Sequence, residues 1–224
     1  MSIQPLQSHI SPNYSPQQIT VEFVVIHFTA ASIKKTLEIL TDPISKVSAH
    51  IVIAPDGGVF ELVPCWNGVV SKAWHAGKSE VVVEDKIWSS FNDFSVGIEL
   101  VNLNGNVFDY TEEQYKSLID VLRHFKELYP NLRSASRIIG HEQIAGMRGK
   151  CDPGTHFDWQ RVFTEVYPAE SAPERLSICG AGASLALKGL ACCLPKSGGL
   201  ADLVWMRISS FLEWVHADIN RAQS

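Results

Sequence analysis

Seven residues at Val21–His27, VEFVVIH, make a β-branched apolar run of strand length. The texture returns at Ser95–Val101 (SVGIELV) and, shorter, at Ser136–Gly140. Helical patterns lie between these runs. Thr36–Leu40 carries a short one that Asp42-Pro43 stops. Thr111 opens a long one, with Gln114 at capping-box spacing. Tyr115, Leu118, Ile119, Leu122, Phe125 and Tyr129 then recur on one face until Pro130. Residues 48–63, SAHIVIAPDGGVFELV, read as a hairpin turning at Asp56-Gly57. Strands that alternate with helices predict an α/β fold, a central mixed β-sheet flanked by helices.

The chain divides into three parts. Residues 1–20 hold three prolines among Ser and Gln and read as an N-terminal arm. Residues 21–167 carry the strand and helix patterns, and a composition shift near Pro168 begins a C-terminal appendage over 168–224, expected to be helical. Within it, residues 202–216 make an amphipathic helix with Leu203, Met206, Phe211 and Trp214, and the aromatic area of Trp205, Phe211 and Trp214 is expected to be buried. The stretch 177–194 is apolar, but Lys188 and three glycines interrupt it, so a packed helix is expected rather than an integral membrane span. With 19 Lys+Arg against 24 Asp+Glu the net charge is −5. No block of like charges appears, so nucleic acid is not an expected partner. Five scattered cysteines do not make a disulfide scaffold. The first residues lack the basic and apolar regions of a signal peptide.

Eight histidines are present, and His9, His124 and His216 read as structural residues. His27 ends an apolar strand, and His141 follows the run SRIIG. Eleven residues on, Asp152 lies in KCDPG, where Pro153-Gly154 forces a turn. Two imidazoles and a carboxylate match a catalytic zinc site, which takes three protein ligands and keeps one position open. Three unrelated structural side chains would give the same spacing. Glu99, inside VGIELV, is either paired in the core or facing a functional cavity, where burial raises its pKa toward neutrality. Lys150 is either a solvated loop charge or a cation beside a developing oxyanion, and Cys151 is a neighbour rather than a ligand. A different chemistry is also written in the chain: Ser32-x-x-Lys35, Ser90-x-Asn92 and Lys196-Ser-Gly198 follow the order of a serine penicillin-binding carboxypeptidase.

Six segments then occur in order over roughly residues 20–165: IHFTA, KVSAHIVIAPDG, AWHAGKS, FNDFSVGIELVN, IIGHEQIA and KCDPGTHFDW. Together they resemble the zinc-dependent N-acetylmuramoyl-L-alanine amidases of the amidase-2 type, which share a fold with peptidoglycan recognition proteins and the phage T7 lysozyme. The wording is nearer to the envelope amidases called AmiD than to the cytosolic recycling enzyme AmpD, which favours the cell envelope, with the cytoplasm as the alternative. The resemblance implies an amidase catalytic domain over 21–167. It implies one Zn2+ held by His27, His141 and Asp152, with Glu99 as catalytic glutamate and Lys150 stabilising the oxyanion. His50, Trp74 and His75 fall on positions that bind substrate along the cleft. The implied reaction is hydrolysis of the amide between N-acetylmuramic acid and L-alanine in peptidoglycan or a muropeptide. A non-catalytic peptidoglycan-binding module is the alternative within the same fold. Where the family usually reads IAPxRKxDPGP, this chain has AGMRGKCDPGT after Ile144, one residue longer.

Overall fold

In a computed structural model describing residues 4–173 and 189–223, the VEFVVIH run becomes β2 (Phe23–Phe28), second from one edge of a five-stranded sheet. Its neighbours are β8 (Ser95–Leu100) and β9 (Ile138–Gly140), both parallel to it. Beyond β8 lies β3 (Ile51–Ile53), also parallel, and β4 (Val59–Glu61) closes the other edge antiparallel to β3. The mixed sheet therefore agrees with the sequence pattern, including the hairpin, which turns through Gly57 at φ +83°.

Successive side chains of a strand point to opposite faces, and here the two faces do different things. Val24 and Ile26 of β2, Val96 and Ile98 of β8, and Ile51 and Ile53 of β3 pack with Leu118, Leu122 and Phe125 of helix α2 (Glu112–Leu128) in the largest apolar cluster. That helix begins where the sequence says, with Thr111 Oγ1 accepting from Gln114 N at 3.1 Å and Gln114 Oε1 accepting from Thr111 N at 3.1 Å. The opposite face carries Val25, His27, Gly97 and Glu99. It packs a smaller cluster with Ala76, Phe91, Ile139 and Ile144 and holds the polar residues of the site.

Helix α1 (Ile33–Thr41) follows β2, α3 (His141–Ala145) follows β9 directly, and α4 (Trp159–Val166) closes the body. The N-terminal arm is extended, as its prolines suggest, and it is also tied down. Its strand β1 (Tyr14–Gln18) pairs with β5 (Ser71–Ala73), and Asn13 Nδ2 donates to Asp42 O at 2.7 Å and Val47 O at 3.0 Å. A second hairpin, β6 (Glu80–Val83) and β7 (Lys86–Ser89), lies outside the main sheet.

The appendage ends in α5 (Gly199–Gln223), which packs on the body through Trp205, fully buried, and Ala201. Trp205 meets Phe108 edge-on at 4.9 Å and donates its Nε1–H to Pro195 O at 2.8 Å. Leu203, Phe211 and Trp214 do not form the buried stripe expected of them: they are 57%, 61% and 60% exposed. The helix is apolar on two sides. The side with small residues, Ala201 and Ser209, lets the backbone come close and seats Trp205. The stretch 177–194 lies largely outside the described residues. Among the described residues no helix is long and apolar enough to cross a membrane.

Candidate metal centre

Parallel pairing in register sets His27 of β2 beside Glu99 of β8, so the sheet itself fixes their separation. His141 is the first residue of α3, where the chain leaves β9. Asp152 is held against it, its carbonyl accepting from Glu142 N at 2.9 Å. Three residues far apart in sequence thus meet. His27 Nδ1 lies 3.0 Å from His141 Nδ1 and 2.9 Å from Asp152 Oδ2, and His141 Nδ1 lies 3.0 Å from the same oxygen. All three are buried, and they form the group among the described residues that could hold a metal ion.

The donor set fits zinc. Tetrahedral ligands at ~2.0–2.1 Å stand about 3.3 Å apart, a slight expansion of the spacing seen. Electrostatics agree, since burial, with His141 adding to it, lowers the pKa of His27 to about 4. Burial alone would raise Asp152, but His141 and His27 outweigh it and hold the carboxyl well below its ordinary value. A neutral imidazole at His27 and an ionised carboxylate at Asp152 are protonation states a cation requires.

Glu99 is partly buried, and its Oε2 has no hydrogen-bond partner. Burial first, then the nearby Asp152, pushes its pKa up to about 8, with Lys150 opposing. Lys150 follows a short turn, Gly146–Arg148, and Gly149 at φ +81°. Its Nζ donates to Glu213 Oε1 of α5 at 2.8 Å. Burial disfavours the ammonium, yet Asp152 and Glu213 prevail and raise its pKa. Ser209, Leu212 and Glu213 of α5 leave a gap of about 10 Å³ beside Asp152, room for about one water. The appendage, placed outside the catalytic part by sequence, therefore borders the site.

The residues expected to bind substrate are placed unequally. Trp74 is partly exposed. His50 is fully buried, its Nε2 donating to Ser71 O at 2.9 Å and its Nδ1 accepting from Gly97 N at 3.0 Å, so both ring nitrogens are engaged by the backbone. His75 stands behind the metal group, its Nδ1 3.1 Å from His27 Nε2. Cys151 is joined in a disulfide, so it offers no thiolate.

The serine motif assembles only in part: Ser32, Lys35 and Gly198 line one pocket, while Asn92 lies elsewhere. Ser32 caps α1 and its hydroxyl reaches Asp202 Oδ2 at 2.9 Å, while Lys35 Nζ turns to Glu38 at 3.3 Å. Asn92 instead accepts from the backbone of His75 and Ala76. Sequence reasoning did not single out Asn92 for the metal centre or Glu213 at all. The first sits inside the FNDF segment, and the second carries no local signal.

The chain is similar to known proteins in sequence and in fold. The AmpD 1,6-anhydro-N-acetylmuramyl-L-alanine amidase of Haemophilus influenzae is 37% identical over 121 residues, 54% of this chain and 59% of that protein. The chain thus spans under two thirds of this curated relative. A crystal structure of an AmpD superposes with a TM-score of 0.56 at 28% identity, covering 74% of this chain and 99% of the other. AmpDh3 of Pseudomonas aeruginosa, solved in complex with anhydromuramic pentapeptide, gives 0.55 at 27% identity, covering 74% and 66%. The profile of the N-acetylmuramoyl-L-alanine amidase family matches residues 17–155, more than half of the sequence, and the chain belongs to that family.

Proposed function

We propose that this protein hydrolyses the amide between the lactyl group of N-acetylmuramic acid and L-alanine in peptidoglycan or a muropeptide, with one zinc ion held by His27, His141 and Asp152. The observation that carries this reading is the convergence of those three side chains to within 3.0 Å beside the raised carboxyl of Glu99. Bound zinc supplies a Lewis acid and lowers the pKa of water at the site toward ~7.

The chain's own residues do the rest. With the cation bound, ionised Glu99, whose Oε2 has no hydrogen-bond partner, takes a proton from the attacking water and returns it to the departing amine. Ionised Lys150 offers an ammonium to the oxygen on which charge develops, once it is released from Glu213. Trp74 offers an aromatic surface to the substrate. Mass spectrometry of a digest of anhydromuramoyl peptides tests the activity. Free stem peptide and free anhydromuramic acid are expected, and cleavage at any other bond, or none in zinc-loaded protein, overturns the reading.

A further inference from the structure

Behind the three metal-binding side chains runs a directional chain of hydrogen bonds, and its direction can be read from its far end. The Phe91 carbonyl can only accept, and Ser95 Oγ lies 2.5 Å from it, so the serine hydroxyl donates there. Ser95 Oγ is therefore an acceptor toward His75 Nε2 at 3.3 Å. The Ser95 carbonyl, 3.4 Å from the same nitrogen, can likewise only accept. His75 thus carries its proton on Nε2 and presents Nδ1 as an acceptor. His27 Nε2, at 3.1 Å, must donate to it. The remaining nitrogen of His27, Nδ1, is left with a bare lone pair aimed at Asp152 and His141.

The next residue does the same for the other histidine. His141 Nε2 lies 3.2 Å from the Ala76 carbonyl, which can only accept, so the neutral tautomer of His141 that fits this contact has its proton on Nε2 and its lone pair on Nδ1. One dipeptide, His75-Ala76, thereby sets the tautomers of both ligand histidines. Asn92 clips the dipeptide in place, its Oδ1 accepting from His75 N at 3.1 Å and Ala76 N at 2.8 Å. Gly97 makes room for it: a Cβ there would stand 2.5 Å from His75 Cγ.

We infer that His75 is a positioning residue of the metal centre, orienting His27 through its Nε2–H, and that Asn92 positions His75 and Ala76. This replaces the substrate-binding role that resemblance implies for His75, and it rests on the metal-centre reading above. Outer partners of this kind typically change metal affinity 10–100-fold.

The test measures zinc affinity of the full chain by competition with a chromophoric chelator, with folding followed by circular dichroism. His75→Ala should weaken zinc 10–100-fold, and His75→Asn, whose amide oxygen can replace Nδ1 as acceptor, should recover most of the loss. Asn92→Ala, which touches no metal ligand, should weaken zinc in the same direction, and KM for a muropeptide should stay unchanged in all three. Parental zinc affinity in folded His75→Ala, or no recovery in His75→Asn, overturns the inference. A parent that binds zinc without cleaving muropeptides, with His75→Ala binding more weakly, defeats the amidase reading and leaves this one standing. A parent that binds no zinc defeats both.

Discussion

Glu99→Gln should make the metal-free protein more stable and the enzyme worse. Burial pushes the Glu99 carboxyl from an ordinary 4.5 to about 8. The folded chain therefore keeps a proton that the unfolded chain releases, and stability falls as pH rises between about 4.5 and 8. At pH 7 the gap of roughly 2.5 units, at ~1.36 kcal/mol each, sets an upper bound of about 3.4 kcal/mol. Glu99 is only partly buried, and relaxation and water screening reduce this to about 2 kcal/mol. Glutamine keeps the shape without the proton equilibrium. In chelator-treated protein at pH 7, Glu99→Gln should raise Tm by roughly 4–8 °C and flatten the decline in Tm between pH 5 and 8. Excess zinc should shrink the gain. Turnover should fall ~10²–10⁴-fold, the usual worth of a general acid–base group. A chelated variant that melts below the parent, or keeps its pH slope, would refute the assignment of Glu99 as a carboxyl held protonated by burial.

Three further outcomes are expected. His141→Ala should lose stoichiometric zinc in metal analysis at neutral pH, since it removes one of three ligand atoms. Glu213→Gln should free Lys150 and raise kcat/KM on a small muropeptide by up to about fivefold, the equivalent of a partly exposed ion pair of ~1 kcal/mol; unchanged kinetics would mean the pair does not compete with substrate. Trp205→Ala removes the fully buried anchor of α5, a change costing ~3–5 kcal/mol in a core. Limited proteolysis should then cut the appendage well before the body.

The central sheet was legible because its strands are buried on both faces and read as unbroken apolar runs. His141 was legible for a related reason, since it follows such a run where the chain leaves the sheet, whereas His27 lies one residue inside β2 and projects from the sheet face. The β6–β7 hairpin escaped notice because its turn is Glu84-Asp85, both left-handed at φ 53° and 60°, without the Asn or Gly that usually announces that backbone. Glu213 could not have been found, because its partner lies 63 residues away and nothing local marks the pair. Phe211 and Trp214 misled for a different reason. Periodicity shows that a helix has an apolar side, but here two sides are apolar, and the side that docks is the one that sets Trp205 among small residues.

The pairing of β2 with β8 has a consequence for assembly of the chain. His27 and Glu99 sit on one face because the strands pair at that single offset. A slip of one residue would turn every side chain of a strand to the other face. A slipped β2 would send His27 into the apolar layer beneath α2 and withdraw one of the three donors. Only the correctly paired sheet presents the full set. On the proposed zinc reading, the yield of tightly held zinc during refolding therefore counts the chains that chose the right alignment.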